Sequence, residues 1–207
     1  MNREDYERDY WQKAALDPQV DQKYISDIST KLCLDALENT LAEVLSGEQP
    51  LVAELGVGVG RLIVPLARKY PNAKFAGLDI SQGMLDLAKT NDPKQLVQSW
   101  ALLNGREVPL LFNDTKYDVI YSVLVFQHID KAGIADYFQA IFAALKPGGL
   151  FRFQFIEGDE HEPFSHHYGR EYILGLIADS GGELVDYEIG LIHPQWTWVT
   201  AKAGGNG

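Results

Sequence analysis

The segment Glu54-Leu-Gly56-Val-Gly58-Val-Gly60-Arg61 constrains this chain more than any other. It follows a short apolar run, Leu51 to Leu55. It precedes Arg61 to Tyr70, where Leu62, Ile63, Leu66 and Ala67 recur at helical spacing. A strand that turns into a helix through three glycines leaves its backbone open to close approach by a ligand. A second short strand, Ala73 to Leu78, ends at Asp79, 23 residues after Gly56. A carboxylate there can accept hydrogen bonds from both hydroxyls of a ribose. In doubly wound sheets ligands bind at the carboxyl ends of the strands, where the loop and Asp79 both fall.

The rest of the chain continues the alternation. Ser81 to Thr90 reads as a helix with Ser81 as its N-cap. Tyr117 to Val123 is strongly β-prone, Ala132 to Leu145 is helical until Pro147-Gly148-Gly149, and Leu150 to Ile156 is another strand. Gly169 to Ser180 is helical until Gly181-Gly182, and Leu184 to Ile189 and Trp196 to Ala201 read as closing strands. Asn104-Gly105 is a hairpin signal and predicts a local β excursion before Tyr117. Strands alternating with helices predict an α/β fold with a mostly parallel sheet. Only Gly190 to Gln195 separates the last two strands, too short for a parallel crossover, so they should pair antiparallel.

Ahead of this pattern, Asp5 to Leu16 reads as a helix stopped by Pro18. A second helix is predicted from about Asp21 to Leu45, with Ile25, Ile28, Leu32, Leu37, Leu41, Val44 and Leu45 as its apolar face and Ser46-Gly47 ending it. Residues 1–48 are therefore expected to form a helical cap on a core of residues 49–203, the two making one globular unit.

Composition narrows the function. The formal net charge is −11, so most of the surface repels a phosphate backbone or an anionic lipid, which disfavours nucleic-acid and membrane partners. Cys33 is the one cysteine, so neither an intramolecular disulfide nor a cysteine-built metal site can form. Among Leu32, Leu34 and Leu37 it reads as a buried, inert thiol. The N-terminus has no apolar core for a signal peptide and no run is long enough for a membrane helix, which gives a cytoplasmic expectation.

The dinucleotide fingerprint fits less well. Counted from Gly56 it needs Gly or Ala at position 61, which is Arg61; counted from Gly58 it needs one at Ile63. No phosphate-loop Gly-Lys-Ser/Thr is present. The ordered set E-L-G-V-G-V-G-R, G-L-D-I-S-Q-G-M-L, Y-D-V-I-Y-S-V-L-V-F-Q-H-I and L-K-P-G-G-L-F instead resembles the class I S-adenosylmethionine-dependent methyltransferases, over Leu51 to Ile156.

The resemblance implies a doubly wound, Rossmann-like sheet of seven strands, the last inserted antiparallel, with helices on both faces. It also implies S-adenosylmethionine as the cofactor and S-adenosylhomocysteine as the product. Gly56, Gly58 and Gly60 would cradle the methionine and ribose portion, and Glu54 would help hold the ammonium end. Asp79 would bind the ribose hydroxyls, and Ile80 and Met84 would pack on the adenine. Val123 would offer backbone to the amino-acid end. Where the family often has an acid contacting the adenine amino group, this chain has Ser99 and Trp100. Ser99 could accept that bond and Trp100 could stack, or simply belong to the core.

Three groups are candidates for chemistry beyond the cofactor. His128 follows the fourth strand, and its imidazole suits either a general base or a loop-orienting role. The loop Glu157 to Tyr168 carries His166 and His167 where such folds place substrate-facing loops. It reads either as substrate recognition or as a solvated polar loop, and its spacing defines no metal motif. Tyr6, Tyr10 and Trp11 form one aromatic face at helical spacing, suited to core packing, a dimer contact or, as in similar enzymes, a lid that excludes water. Short insertions and acidity favour a small-molecule methyl acceptor through oxygen, nitrogen or carbon. The alternatives are a catalytically silent cofactor-binding subunit and a nicotinamide oxidoreductase.

Overall fold

The computed structural model describes residues 3–20, 28–158, 161–162 and 165–205. In chain order the elements are α1 (Arg3–Ala14), α2 (Ile28–Leu45), β1 (Leu51–Leu55), α3 (Ile63–Lys69), β2 (Lys74–Asp79), α4 (Gln82–Thr90) and β3 (Ser99–Leu102). There follow β4 (Tyr117–Ser122), α5 (Lys131–Ala144), β5 (Leu145–Ile156), β6 (His161–Glu162), β7 (Ser165–His166), α6 (Arg170–Asp179), β8 (Gly182–Ile189) and β9 (Trp196–Ala203). Residues 21–27 of the expected second helix lie outside the described residues.

Seven strands form one sheet in the order β3-β2-β1-β4-β5-β9-β8. β1 to β3 are mutually parallel, β5 is parallel to β4, and β9 is antiparallel to both β5 and β8. This is the doubly wound α/β architecture, with the last strand inserted antiparallel as expected. Chain contacts divide the molecule into two compact units, Met1–Asn104 and Gly105–Gly207. No helix among the described residues is long and apolar enough to cross a membrane.

In the first unit, β1 is buried at every position, as a central parallel strand must be. Register places Glu54, Gly77 and Trp100 side by side on neighbouring strands. Gly77 leaves room for the indole: a Cβ there would stand 2.5 Å from Trp100 Cε3 and Cζ3. α4 starts where the sequence indicates, with the Met84 N–H donating to the Ser81 hydroxyl at 3.2 Å. Cys33 is wholly buried, as its leucine neighbours suggested.

In the second unit, β5 alternates Phe151, Phe153 and Phe155 with Arg152 and Gln154. The phenylalanines join Phe126, Phe138 and Phe142 in an aromatic core, with Phe151 and Phe153 stacked at 4.5 Å. The opposite face is equally closed, since Arg152 and Gln154 are both 0% exposed. The Arg152 guanidinium donates to Thr200 Oγ1 at 2.9 Å and to Glu188 Oε2 at 2.5 Å, and lies 5.1 Å from the Trp198 ring centre. A buried cation persists only when paired in this manner.

Two local expectations are corrected. α5 stops within one residue of the expected Leu145, but Pro147-Gly148-Gly149 do not separate it from the next strand as expected. It ends at Ala144, and those three residues lie inside β5, which begins at Leu145. The β4–β5 register shifts there, from Tyr117↔Leu145 to Val119↔Leu150, and Gly148 takes a φ of +76°, so the glycines serve a bulge rather than a helix stop. The hairpin expected at Asn104-Gly105 is not formed: no strand lies between β3 and β4. The Tyr117 hydroxyl instead donates to the Pro109 carbonyl at 2.7 Å, so a side-chain tie does the work of cross-strand pairing.

Gly77→Ala should destabilise the chain by roughly 1–3 kcal/mol, because the indole must move off its strand. Urea unfolding checks this, and adding Trp100→Leu should recover part of the loss.

Candidate functional site

The glycine loop is tied to the end of β2. The N–H groups of Gly56 and Val57 donate to the Leu78 carbonyl at 2.8 and 3.0 Å. Asp79 then receives the loop through its side chain: the Gly58 N–H donates to Oδ2 at 2.8 Å and the Ser81 N–H to Oδ1 at 2.9 Å. Gly56, Gly58 and Gly60 have φ values of +73°, +52° and +79°, a region that side chains disfavour. Their neighbourhoods differ. A Cβ on Gly60 would meet the Ala88 Cβ at 3.3 Å, so this glycine lets helix approach strand. A Cβ on Gly58 would meet nothing within 4 Å, so open space lies beside the amide that Asp79 holds.

Asp79 is 6% exposed. Burial pushes its carboxyl up from an ordinary 3.8 to about 6, and the N–H groups of Ser81, Gly58 and Ile80 hold it from rising further. The two carboxylate oxygens together offer about four acceptor sites, so these backbone donors still leave capacity for a ligand hydroxyl. Glu54, at the end of β1, is also buried.

The other candidates of this unit fall around that centre to different degrees. Ile80, Ser99 and Trp100 are half-buried. Met84 is 2% exposed and packs with Val20 and Val59, against which Trp11, Ala14, Ala15 and Leu87 lie. The aromatic face expected on α1 is divided: Trp11 joins that cluster, whereas Tyr6 and Tyr10 are exposed. The residue that fixes α1 is Gln12, whose Oε1 accepts from the Gly83 N–H at 3.0 Å and from the Ser81 hydroxyl at 3.3 Å. Gly83 permits the approach, since a Cβ there would stand 2.8 Å from the Ala15 Cβ.

In the second unit, Val123 is buried just past β4. Leu124 follows with a φ of +61°, and its N–H donates to Gln154 Oε1 at 3.1 Å. His128 ends the short turn Phe126–His128 and is half-buried. His166 pairs with His161 in the two-stranded β6–β7 ribbon, and His167 is buried. The Tyr168 hydroxyl donates to the Ile129 carbonyl, joining the ribbon to the turn that ends in His128. Glu157 Oε2 accepts from the Thr197 hydroxyl at 2.8 Å. Burial first, and then the charge of Glu157, hold the Tyr187 proton well beyond the ordinary tyrosine range. Among the described residues no three His, Cys, Asp or Glu are grouped to hold a metal ion.

Gln12, Leu124 and Gln154 escaped the sequence reading. Only Gln154 carried a signal: a polar residue alternating with phenylalanines in a strand reads as solvent-facing, and here it is buried.

Residues 52–149 match the family model described as a methyltransferase domain. Over these residues the chain is similar to the class I S-adenosylmethionine-dependent methyltransferases. It is 28% identical over 145 residues to a malonyl-[acyl-carrier protein] O-methyltransferase of Priestia megaterium, covering 70% of this chain and 51% of that one. It is 29% identical over 136 residues to a trans-aconitate 2-methyltransferase of Delftia acidovorans, covering 63% and 46% respectively. The chain spans about half the length of these curated relatives. Its fold matches that of the magnesium protoporphyrin IX methyltransferase of Synechocystis PCC 6803, solved with bound S-adenosylmethionine, with a TM-score of 0.78 and 16% identity over 99% of this chain and 98% of that one.

The two anchors of this site give separate predictions. Asp79 holds its proton more tightly folded than unfolded, so its contribution to stability is fully present below about 3.8 and lost as pH rises through about 6. That contribution is roughly 3 kcal/mol at most. Asp79→Asn should flatten this part of the pH dependence of urea unfolding between pH 4 and 7. Gly83→Ala should loosen α1, raising amide exchange over residues 8–15 while β1 and β2 stay protected.

Proposed function

We propose that this chain transfers a methyl group from S-adenosylmethionine to a small-molecule acceptor. The observation that carries the reading is Asp79: a buried carboxylate that grips the Gly58 amide while open space lies beside that glycine. The residues fit the cofactor's chemistry. Asp79 would accept from the ribose hydroxyls, and the Gly56 to Gly60 backbone would lie against the methionine and ribose portion. Glu54 would help hold the ammonium. Ile80 and Met84 would pack on the adenine, Ser99 and Trp100 would border it, and Val123 would present backbone to the amino-acid end. The bound cofactor supplies an electrophilic methyl on a positively charged sulfur, which an acidic chain of net charge −11 is suited to host.

The protein's part is alignment and exclusion of water, and orientation alone lowers much of such a barrier. α1, clipped to the α4 N-terminus through Gln12, would act as the lid. His128 would take a proton from a hydroxyl or acidic-carbon acceptor, and His166 and His167 would face that acceptor. Of the three methyltransferases named above, two are named for a small-molecule acceptor and one for a carrier-bound acyl group, which supports a small acceptor.

The test is the thermal midpoint with S-adenosylhomocysteine, with NAD and with neither. S-adenosylhomocysteine at about 100 times its dissociation constant should add roughly 2.7 kcal/mol, several degrees for a domain of this size. NAD should add nothing, and Asp79→Ala should abolish the shift. Because ribose hydroxyls donate to the ionised carboxylate, affinity should fall as pH drops below about 6. A shift with NAD alone would overturn the reading.

A further inference from the structure

We propose that Gln154 is a positioning residue, whose side-chain amide holds the backbone after β4 in a conformation the chain would not keep unaided. It thereby sets where Val123 presents its main chain, an inference that rests on the cofactor role proposed above for Val123. Leu124 has a φ of +61°, and among the described non-glycine residues with positive φ (Gln49, Gln95, Asn113, Asp114 and Leu124) it is the one apolar side chain. Asn and Asp tolerate this region through local hydrogen bonds, which a leucine cannot make. Such a residue persists only where its surroundings fix it, and such fixing concentrates at functional sites. Here the fixing contact is the Leu124 N–H donating to Gln154 Oε1 at 3.1 Å.

The cost of keeping a glutamine at this position supports the same assignment. Gln154 is 0% exposed, and its Nε2 is buried with no hydrogen-bond partner. A buried donor without a partner is unfavourable, and a leucine would fill similar volume without that cost. The Leu124 contact is the bond that accounts for the amide. The platform beneath it is rigid: Gln154 is paired across the sheet with Trp198, the Trp198 ring rests against Arg152, and Thr200 and Glu188 hold Arg152. A group locked from behind in this manner can impose an unfavourable backbone angle on the loop in front of it. The turn Phe126–His128 follows two residues later, so the same hold sets the start of the segment that carries His128.

The experiment compares the unaltered chain, Gln154→Leu, Leu124→Gly and the double variant. Two quantities are read: the dissociation constant of S-adenosylhomocysteine by calorimetry, and exchange of the Leu124 amide. Gln154→Leu should weaken binding by about tenfold or more and lose protection at the Leu124 amide, with a urea midpoint equal to or above that of the unaltered chain. Glycine adopts positive φ without steric cost, so Leu124→Gly added to Gln154→Leu should recover most of the affinity. Unchanged affinity in Gln154→Leu, or no recovery in the double variant, overturns the proposal. Failure of the unaltered chain to bind S-adenosylhomocysteine overturns instead the cofactor reading on which it rests. In that case the Leu124 amide still shows whether Gln154 holds the loop.

Discussion

The bond from the Gly58 amide to the Asp79 carboxylate organises the first unit. It closes a loop whose three glycines have no side chains to hold them, and it does so from the end of the neighbouring parallel strand. The two carbonyl contacts to Leu78 and the Asn91 amide donating to the Val59 carbonyl hold the loop on either side of that bond. With Asp79 in place, the loop and the acid become one rigid object. The desolvation that raises the Asp79 carboxyl is the cost of that rigidity, and the backbone donors around it offset part of it.

The second unit is rigid for a different reason. β5 is buried on both faces, one aromatic and one polar. The aromatic face gives volume and apolar contact, as any core does. The polar face gives direction: a guanidinium, an indole and an amide stacked along two strands leave each other little freedom. Polar groups in such a place are unfavourable unless each is placed against a partner. The groups here meet that condition incompletely, since Gln154 Nε2, Arg152 Nε and Trp198 Nε1 are buried without hydrogen-bond partners. Unpaired atoms of this kind mark the part of a fold where local stability has been given up for geometry.

Much of the architecture was legible because strong periodic signals set it. β1 and β2 are short apolar runs that end at chemically meaningful residues, and Ser81 is an unambiguous cap. What escaped the sequence depended on tertiary contact. Pro147-Gly148-Gly149 carries the composition of a helix stop, yet β4 recruits it into a bulge. Asn104-Gly105 carries the composition of a hairpin, yet the Tyr117 hydroxyl fastens the segment to Pro109. Glu54, the glycines and Asp79 were easier to place: the short apolar runs that form β1 and β2 put them at the carboxyl ends of those strands.

The ion pair of Arg152 with Glu188 joins two strands, β5 and β8, that are not neighbours. β9 lies between them, and it is the last of the three to leave a ribosome. Until residues 196–203 have emerged, β5 presents an unpaired ladder along one edge and a guanidinium without its carboxylate. The second unit therefore cannot complete itself progressively as it is made. Its polar face is complete only once β9 has paired with β5 on one side and β8 on the other.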